Sequence, residues 1–203
     1  MNQAIADIIK GHIEDLDFVD KIAGLTAALT FDIRGPDNTV VQKTVPVACC
    51  VTAEDCKDGA YNDLMPNSEY NTVIYFEDGG INYERSESNW KYYRSTLRLI
   101  CWINIEKIFQ SSCKSESPCT HAAHIVAEII RALPSFPETH FPFDKVYSEV
   151  TSQAVRNPSI FGAYTYDEKH SQYLMAPYDY FSLTIETTFA ICLSSTDVYA
   201  PCR

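Results

Sequence analysis

Residues 178–193, YDYFSLTIETTFAICL, decide the fold class of this chain. Apolar side chains recur there at every second position, and Thr187 interrupts the series. The apolar positions are Phe181, Leu183, Ile185, Phe189, Ile191 and Leu193. Such alternation predicts a β-strand with one buried face and one face toward solvent. Because a single strand is not stable alone, the rest of the chain must supply neighbouring strands and an apolar cover.

The composition is that of one globular domain spanning residues 1–203, with 46% hydrophobic and 21% charged residues. The formal net charge of −11 argues against direct binding to nucleic-acid phosphates, because such binding needs clustered Lys and Arg. No apolar run is long enough to cross a membrane, and the charges within residues 2–16 disfavour a signal peptide. We therefore expect a cytoplasmic protein without membrane contact, whose eight cysteines are reduced.

Two amphipathic helices are predicted. The first covers residues 2–16, where isoleucines recur at helical spacing, and the apolar group at 18–22 is expected to continue its packing. The second begins at Thr120, a favourable N-cap, and ends before Pro134. Its inward side chains are expected to be Ala123, Val126, Ile129, Ile130 and Leu133.

The remaining periodic segments predict β-strands. They cover residues 29–33, 39–51, 72–76, 81–85, 92–105, 143–155 and 178–193. Residues 77–80, EDGG, are predicted to be a hairpin turn, and Pro46 predicts an edge strand because it lacks an N–H. Ile100 and Trp102 make the outer face of their strand apolar at one end, which predicts that this end enters an interface. The pattern predicts an α+β fold, with a mostly antiparallel sheet covered on one face by two helices.

Two long excursions, residues 52–71 and 156–177, interrupt this domain and lack periodicity. Long irregular loops are usually functional or disordered. Both excursions carry tyrosine, which is enriched at protein–protein interfaces, although it is also an ordinary residue of exposed strand faces. We therefore predict that the excursions carry assembly contacts and that the fold does not need them. The predicted interface residues are Tyr61, Tyr70, Tyr164, Tyr166 and Tyr173, together with Arg94 and Arg98.

One group of residues has ligands suited to a metal ion. Cys113, Cys119, His121 and His124 form C-x5-C-x-H-x2-H, and thiolate and imidazole are zinc ligands. Structural zinc sites typically have cysteines two to four residues apart, so a polar loop that leads into a helix with exposed histidines is the preferred interpretation. Cys101 lies within an apolar alternation, which predicts a buried and unreactive thiol. We predict no bound metal and no cofactor.

The sequence lacks the motifs that commonly mark an enzyme. Phosphate-binding, dinucleotide-binding and hydrolase nucleophile motifs are absent, so no catalytic residue is predicted. Two alternatives nevertheless stay open. One is a metal-dependent enzyme that uses the Cys and His residues of the loops, and the other is a monomeric module that binds a protein partner.

The order of the predicted elements resembles that of tailed-phage tail-terminator and tail-completion proteins, which include the neck rings of the head–tail connector. The shared order is an N-terminal amphipathic helix, two hairpins, a long strand with Arg94 and Arg98, a helix that ends at Leu133 and a final long strand. The resemblance covers most of residues 1–193 and contains no fingerprint motif.

The resemblance implies a non-enzymatic structural protein of the virion, located in the neck or tail and assembled in the host cytoplasm. It implies a homo-oligomeric ring, sixfold or twelvefold, that contacts connector, portal-side or tail-tube proteins. DNA would pass through this ring without specific binding. A net charge of −11 suits such a channel, because an acidic lumen does not hold DNA.

Overall fold

The computed structural model describes residues 1–34, 38–48, 64–109, 118–134, 138–140, 143–165 and 171–192, with the side chains of residues 118–120, 138–140 and 144 left aside. In chain order the helices and strands are α1 (Asn2–Ile13), β1 (Lys21–Arg34), β2 (Val40–Ala48), β3 (Thr72–Glu87), β4 (Trp90–Asn104), α2 (Ile105–Phe109), α3 (Pro118–Ala132), β5 (Glu138–His140), β6 (Phe143–Val155) and β7 (Tyr178–Cys192). Among the described residues, no helix has the length and apolarity needed to cross a membrane.

A mixed sheet organises these elements, which confirms the α+β class. Its strand order is β2-β1-β3-β4-β7-β6, and the short β5 pairs with β6. β7 lies inside the sheet and pairs antiparallel with β4 over its whole length, from Trp90↔Cys192 to Asn104↔Tyr178. β2 lies at the edge, as Pro46 predicted.

Phe18, Val19 and Ile22 pack against the same core as α1, as predicted. α1 ends at Ile13, and turns follow it, in which the Leu16 N–H donates to the Ile13 oxygen and the Val19 N–H to the Leu16 oxygen. Ile22 belongs to the start of β1, where Lys21 and Ile22 pair in parallel with Val73 and Ile74 of β3. The sheet is therefore mixed, because this parallel pair joins two antiparallel parts.

The helices cover one face of the sheet. Ile5, Ile9 and Ile13 of α1 are fully buried, and α1 lies against β1, β3 and β4. In α3 the buried stripe is Ala122, Ile125, Val126, Ile129 and Leu133. Ala123 and Ile130 are exposed, so their predicted inward positions are wrong. The stripe keeps helical spacing, but the sheet and not the sequence pattern selects which side of the helix is inward.

Thr187, the polar residue that interrupts the buried face of β7, is satisfied inside the core. It is fully buried, and its hydroxyl shares a hydrogen bond of 2.8 Å with the hydroxyl of Ser148. Buried hydroxyl groups cost free energy unless they are paired in this way. The interruption therefore does not open the core to solvent.

The predicted hairpin turn at residues 77–80 is wrong, because β3 continues through it to Glu87. The pairing of β3 with β4 shifts register between Asp78 and Ile81, which marks a β-bulge. Gly80 has a φ of +95°. A Cβ on Gly79 would lie 2.8 Å from the backbone oxygen of Thr96. The two glycines thus serve the bulge and a close approach to β4, and the chain reverses later, at Ser88 and Asn89.

We expect Gly79→Ala to destabilise the fold by about 1–3 kcal/mol, because the new methyl group overlaps backbone that cannot easily move. Gly11→Ala is the matched control, since nothing lies within 4 Å of a Cβ at that helical position. It should raise stability by about 0.5–1 kcal/mol, because Ala favours helix over Gly. Urea unfolding of both variants measures the difference, and a Gly79→Ala protein as stable as the wild type would contradict the close approach.

Candidate functional site

The 156–177 excursion covers one end of the second face of the sheet. Ile160 and Phe161 pack there against Tyr75, Trp102 and Tyr180 in a second apolar cluster. The prediction that this excursion contributes little to the core is therefore wrong. The apolar end of β4 does enter an interface, but the cover belongs to the same chain. The face of β7 that was expected to be wet is likewise buried at Tyr180.

Three of the predicted interface tyrosines pack within their own chain. Tyr164 donates a hydrogen bond of 2.6 Å to Glu77 Oε1, and its ring meets Tyr75 edge-on. Burial raises the pKa of the Tyr164 phenol, and the hydrogen bond to Glu77 raises it further. Tyr70 and Tyr173 join the same cluster. Whether any of them also contacts another chain stays a prediction.

Of the remaining parts of this prediction, Tyr61 and Tyr166 lie outside the described residues. The 52–71 excursion is described from residue 64 onward, and Leu64 and Met65 are buried there. Both excursions thus contribute buried residues to the domain.

Further hydrogen-bonded contacts attach the 156–177 excursion to the sheet. The indole N–H of Trp102 donates to the backbone oxygen of Tyr173 at 2.6 Å. Arg156 donates to both carboxylate oxygens of the fully buried Asp179, at 2.8 and 2.9 Å. A bidentate guanidinium–carboxylate pair is directional as well as strong, so it defines where the excursion leaves β6.

The predicted interface arginines are paired within the chain. Arg94 donates to Glu84 at 2.6 Å and to Glu186 at 2.8 Å. These hydrogen bonds, that to Glu84 first, raise the pKa of Arg94. Arg98 lies 3.2 Å from Glu77. Because carboxylates surround both guanidinium groups, this face offers little to an anionic partner such as DNA.

The four candidate metal ligands lie only partly within the described residues. Cys113 lies outside them, and the side chain of Cys119 is not among those described. His121 is buried, with its ring 4.3 Å from that of Phe109 and no hydrogen-bond partner at Nδ1. His124 is exposed. Within the described ranges, no three His, Cys, Asp or Glu side chains converge on a possible metal position.

The predictions for the cysteines have different outcomes at Cys101 and at Cys192. Cys101 is free and fully buried, which confirms the predicted burial, and this burial raises the pKa of its thiol. Cys192, the last residue of β7, is disulfide-bonded. The prediction that all eight cysteines are reduced is therefore wrong at this position.

A cleft of about 660 Å³ opens between the segment after α1, the short helix α2 and α3. Its apolar lining consists of Leu16, Phe18, Ile108, Phe109 and Ile125. Asp15, Asp17, His124 and Glu128 add polar groups. Lys107 also lines the cleft, but its ammonium donates to the backbone oxygen of Glu69 at 2.6 Å. The cleft therefore combines apolar side chains with an excess of carboxylates.

The second prominent surface is the far part of the β1–β2 hairpin, residues 27–34 and 40–45, which we call the arm. β1 pairs with β3 only as far as Thr26, so within the described residues the arm has no further strand beside it. Large apolar side chains are exposed on it: Leu29 is 43%, Ile33 37% and Val41 48% exposed. The arm is a two-stranded ribbon with an apolar face toward solvent.

Thr165 caps the outer edge of the arm at its base, and beyond this point no described residue pairs with that edge. The N–H of Thr165 donates to the Thr44 oxygen at 2.8 Å, and the Thr44 N–H donates to the Thr165 hydroxyl at 3.2 Å. The backbone groups of Thr44 thus point away from β1. Because these directions alternate along a strand, the backbone groups of Gln42 and Val40 also point outward.

Sequence reasoning missed both surfaces. Alternation predicted the strands of the arm, but the same alternation occurs in buried strands, so the sequence gave no sign that this face is exposed. The cleft joins three segments that are distant along the chain, and no local pattern marks it. A comparison with protein-family models found no match for the chain, and a search of curated proteins found none either. The functional argument therefore rests on the two surfaces themselves.

We expect Tyr164→Ala to lower the free energy of unfolding by about 2 kcal/mol, because it leaves a cavity beside Tyr75 and removes the hydrogen bond to Glu77. If the fold did not need the excursion, the same substitution would leave the free energy of unfolding nearly unchanged. Tyr83→Ala is the control, since Tyr83 is 56% exposed and should cost less than about 1 kcal/mol. Denaturant unfolding of both variants measures the two losses of stability, and equally small losses would contradict a structural role for Tyr164.

Proposed function

We propose that this chain is the structural subunit of a ring in the neck or tail of a tailed phage, similar to a tail terminator or head–tail connector protein. The observation that carries the proposal is the arm, which presents an apolar face and open strand edges to solvent. A two-stranded hairpin is marginally stable in water by itself, and exposed apolar patches commonly mark protein contacts. An arm of this kind is stabilised when another subunit covers it.

The charge distribution supports a channel that DNA crosses without being bound. The net charge of −11 and the pairing of Arg94 and Arg98 with carboxylates leave little cationic surface for phosphates among the described residues. Sixfold or twelvefold symmetry, the neighbouring connector, portal-side or tail-tube proteins and assembly in the host cytoplasm follow from the resemblance in element order. The proposal includes no catalytic step and no cofactor.

A monomeric protein-binding module is the second candidate, and the cleft favours it. A concave surface of about 660 Å³ with apolar lining and a few polar groups is typical of a ligand or peptide site. The two proposals differ in the state of the isolated chain, since a binding module stays monomeric.

The test is the mass of the purified chain, measured by native mass spectrometry over a range of concentrations. We expect a closed oligomer for the wild type and monomers for the double variant Ile33→Ser/Val41→Ser, because the apolar face of the arm is then polar. Thermal unfolding of that monomer should be nearly unchanged, since both side chains are exposed. Val155→Ser is the control, because Val155 is 43% exposed on β6 and lies outside the arm.

A wild-type chain that is monomeric even at the highest soluble concentration would contradict the proposal and favour the binding module. A double variant that assembles like the wild type would remove the arm as the assembly contact.

A further inference from the structure

Hydrogen bonds hold two walls of the cleft in place. The segment after α1 is tied to the sheet, because the Thr72 hydroxyl donates to the Phe18 oxygen and accepts from the Asp20 N–H, both at 3.0 Å. On the side of α2, the Lys107 N–H donates to the Asn104 side chain at 3.3 Å. These walls are therefore preformed, so a ligand does not have to order them on binding.

Two of the charged side chains in the cleft have partners within the chain. The ammonium of Lys107 donates to the backbone oxygen of Glu69 at 2.6 Å, and Glu128 accepts a hydrogen bond from Arg131. A ligand gains less from a group that is already hydrogen-bonded, because the existing bond must be exchanged. These two side chains are therefore not the groups that select the ligand.

The remaining charged residues of the cleft are Asp15 and Asp17. Both are exposed, and no described residue donates a side-chain hydrogen bond to either carboxylate or forms an ion pair with it. Leu16 and Phe18 lie between and beside them in the lining. Because opposite charges attract more strongly in a cleft than in open water, the ligand that fits carries a cation next to apolar groups.

We infer that the cleft binds a short protein segment that carries Arg or Lys beside apolar side chains. A volume of about 660 Å³ exceeds that of a single side chain and suits a segment of a few residues. The apolar part of the segment covers Phe109 and Ile125, and its cation faces Asp15 and Asp17. Nucleic acids and lipid phosphates do not fit, because their charge has the same sign as these carboxylates.

The inference goes beyond the ring and does not depend on it, since a ring subunit and a monomeric module both present this cleft. The experiment measures the binding of three capped tetrapeptides to the full chain by isothermal titration calorimetry. Phe-Arg-Leu-Arg has both required features, Phe-Gln-Leu-Gln lacks the cations, and Gly-Arg-Gly-Arg lacks the apolar side chains. The first should bind at one site per chain and about tenfold more tightly than either of the others.

The double variant Asp15→Asn/Asp17→Asn removes the two carboxylates with little change of shape. It should bind Phe-Arg-Leu-Arg about tenfold more weakly and Phe-Gln-Leu-Gln as the wild type does, because only the first peptide uses the charges. Added salt should weaken the wild type and leave this variant nearly unchanged. Its thermal unfolding should match that of the wild type, since both residues are exposed.

The matched control, Asp32→Asn/Glu149→Gln, removes the same formal charge from exposed positions on β1 and β6 that do not line the cleft. It should bind Phe-Arg-Leu-Arg like the wild type. If it weakens binding as much as the cleft variant does, the net charge of the protein attracts the peptide and the inference is wrong.

Three further results overturn the inference: no saturable binding of Phe-Arg-Leu-Arg, equal binding of the three peptides, or a cleft variant that binds as tightly as the wild type. Each of them leaves the ring proposal standing, because the mass of the assembled chain is measured separately. A monomeric wild type that binds Phe-Arg-Leu-Arg in the expected way overturns the ring and supports the cleft.

Discussion

The pairing of β4 with β7 is the interaction on which the rest of the structure depends. The two strands are hydrogen-bonded along the whole 15-residue length of β7, and both of their faces are covered at the end that contains Trp102 and Tyr180. Leu97 and Ile185 are fully buried under the helices, whereas Trp102 and Tyr180 lie beneath the 156–177 excursion on the other side. Burial on both faces makes this pair the rigid centre to which the remaining elements attach.

The helices on one face of the sheet and the 156–177 excursion on the other also explain which surfaces stay exposed. The excursion that was expected to reach a partner is held against the sheet by the Arg156–Asp179 pair and by the hydrogen bond from Trp102. Its tyrosines fill the second core. Several exposed apolar side chains lie instead on the arm, where β1 has left β3 and no helix among the described residues covers the ribbon. Exposed apolar surface is thus found where the internal packing ends.

The arm and the cleft are separate surfaces that lie toward opposite ends of β3. The polar face between them carries Arg94 and Arg98, each paired with carboxylates. Those pairs leave the sheet face without a cationic patch, so the apolar arm and the acidic cleft are the distinctive surfaces among the described residues.

The sequence by itself determined the elements whose pattern is local. The predicted strand at 178–193 corresponds to β7 and that at 143–155 to β6, because period-two alternation is a property of a strand alone. Only the tertiary structure decided which faces are buried. Gly79 serves a bulge and not a turn because Thr96 lies against it, and Ile130 is exposed because the sheet contacts another side of α3. Only the tertiary structure decided that Tyr164 is packed inside the chain, since contacts between distant segments decide whether an amphipathic side chain faces the core or a partner.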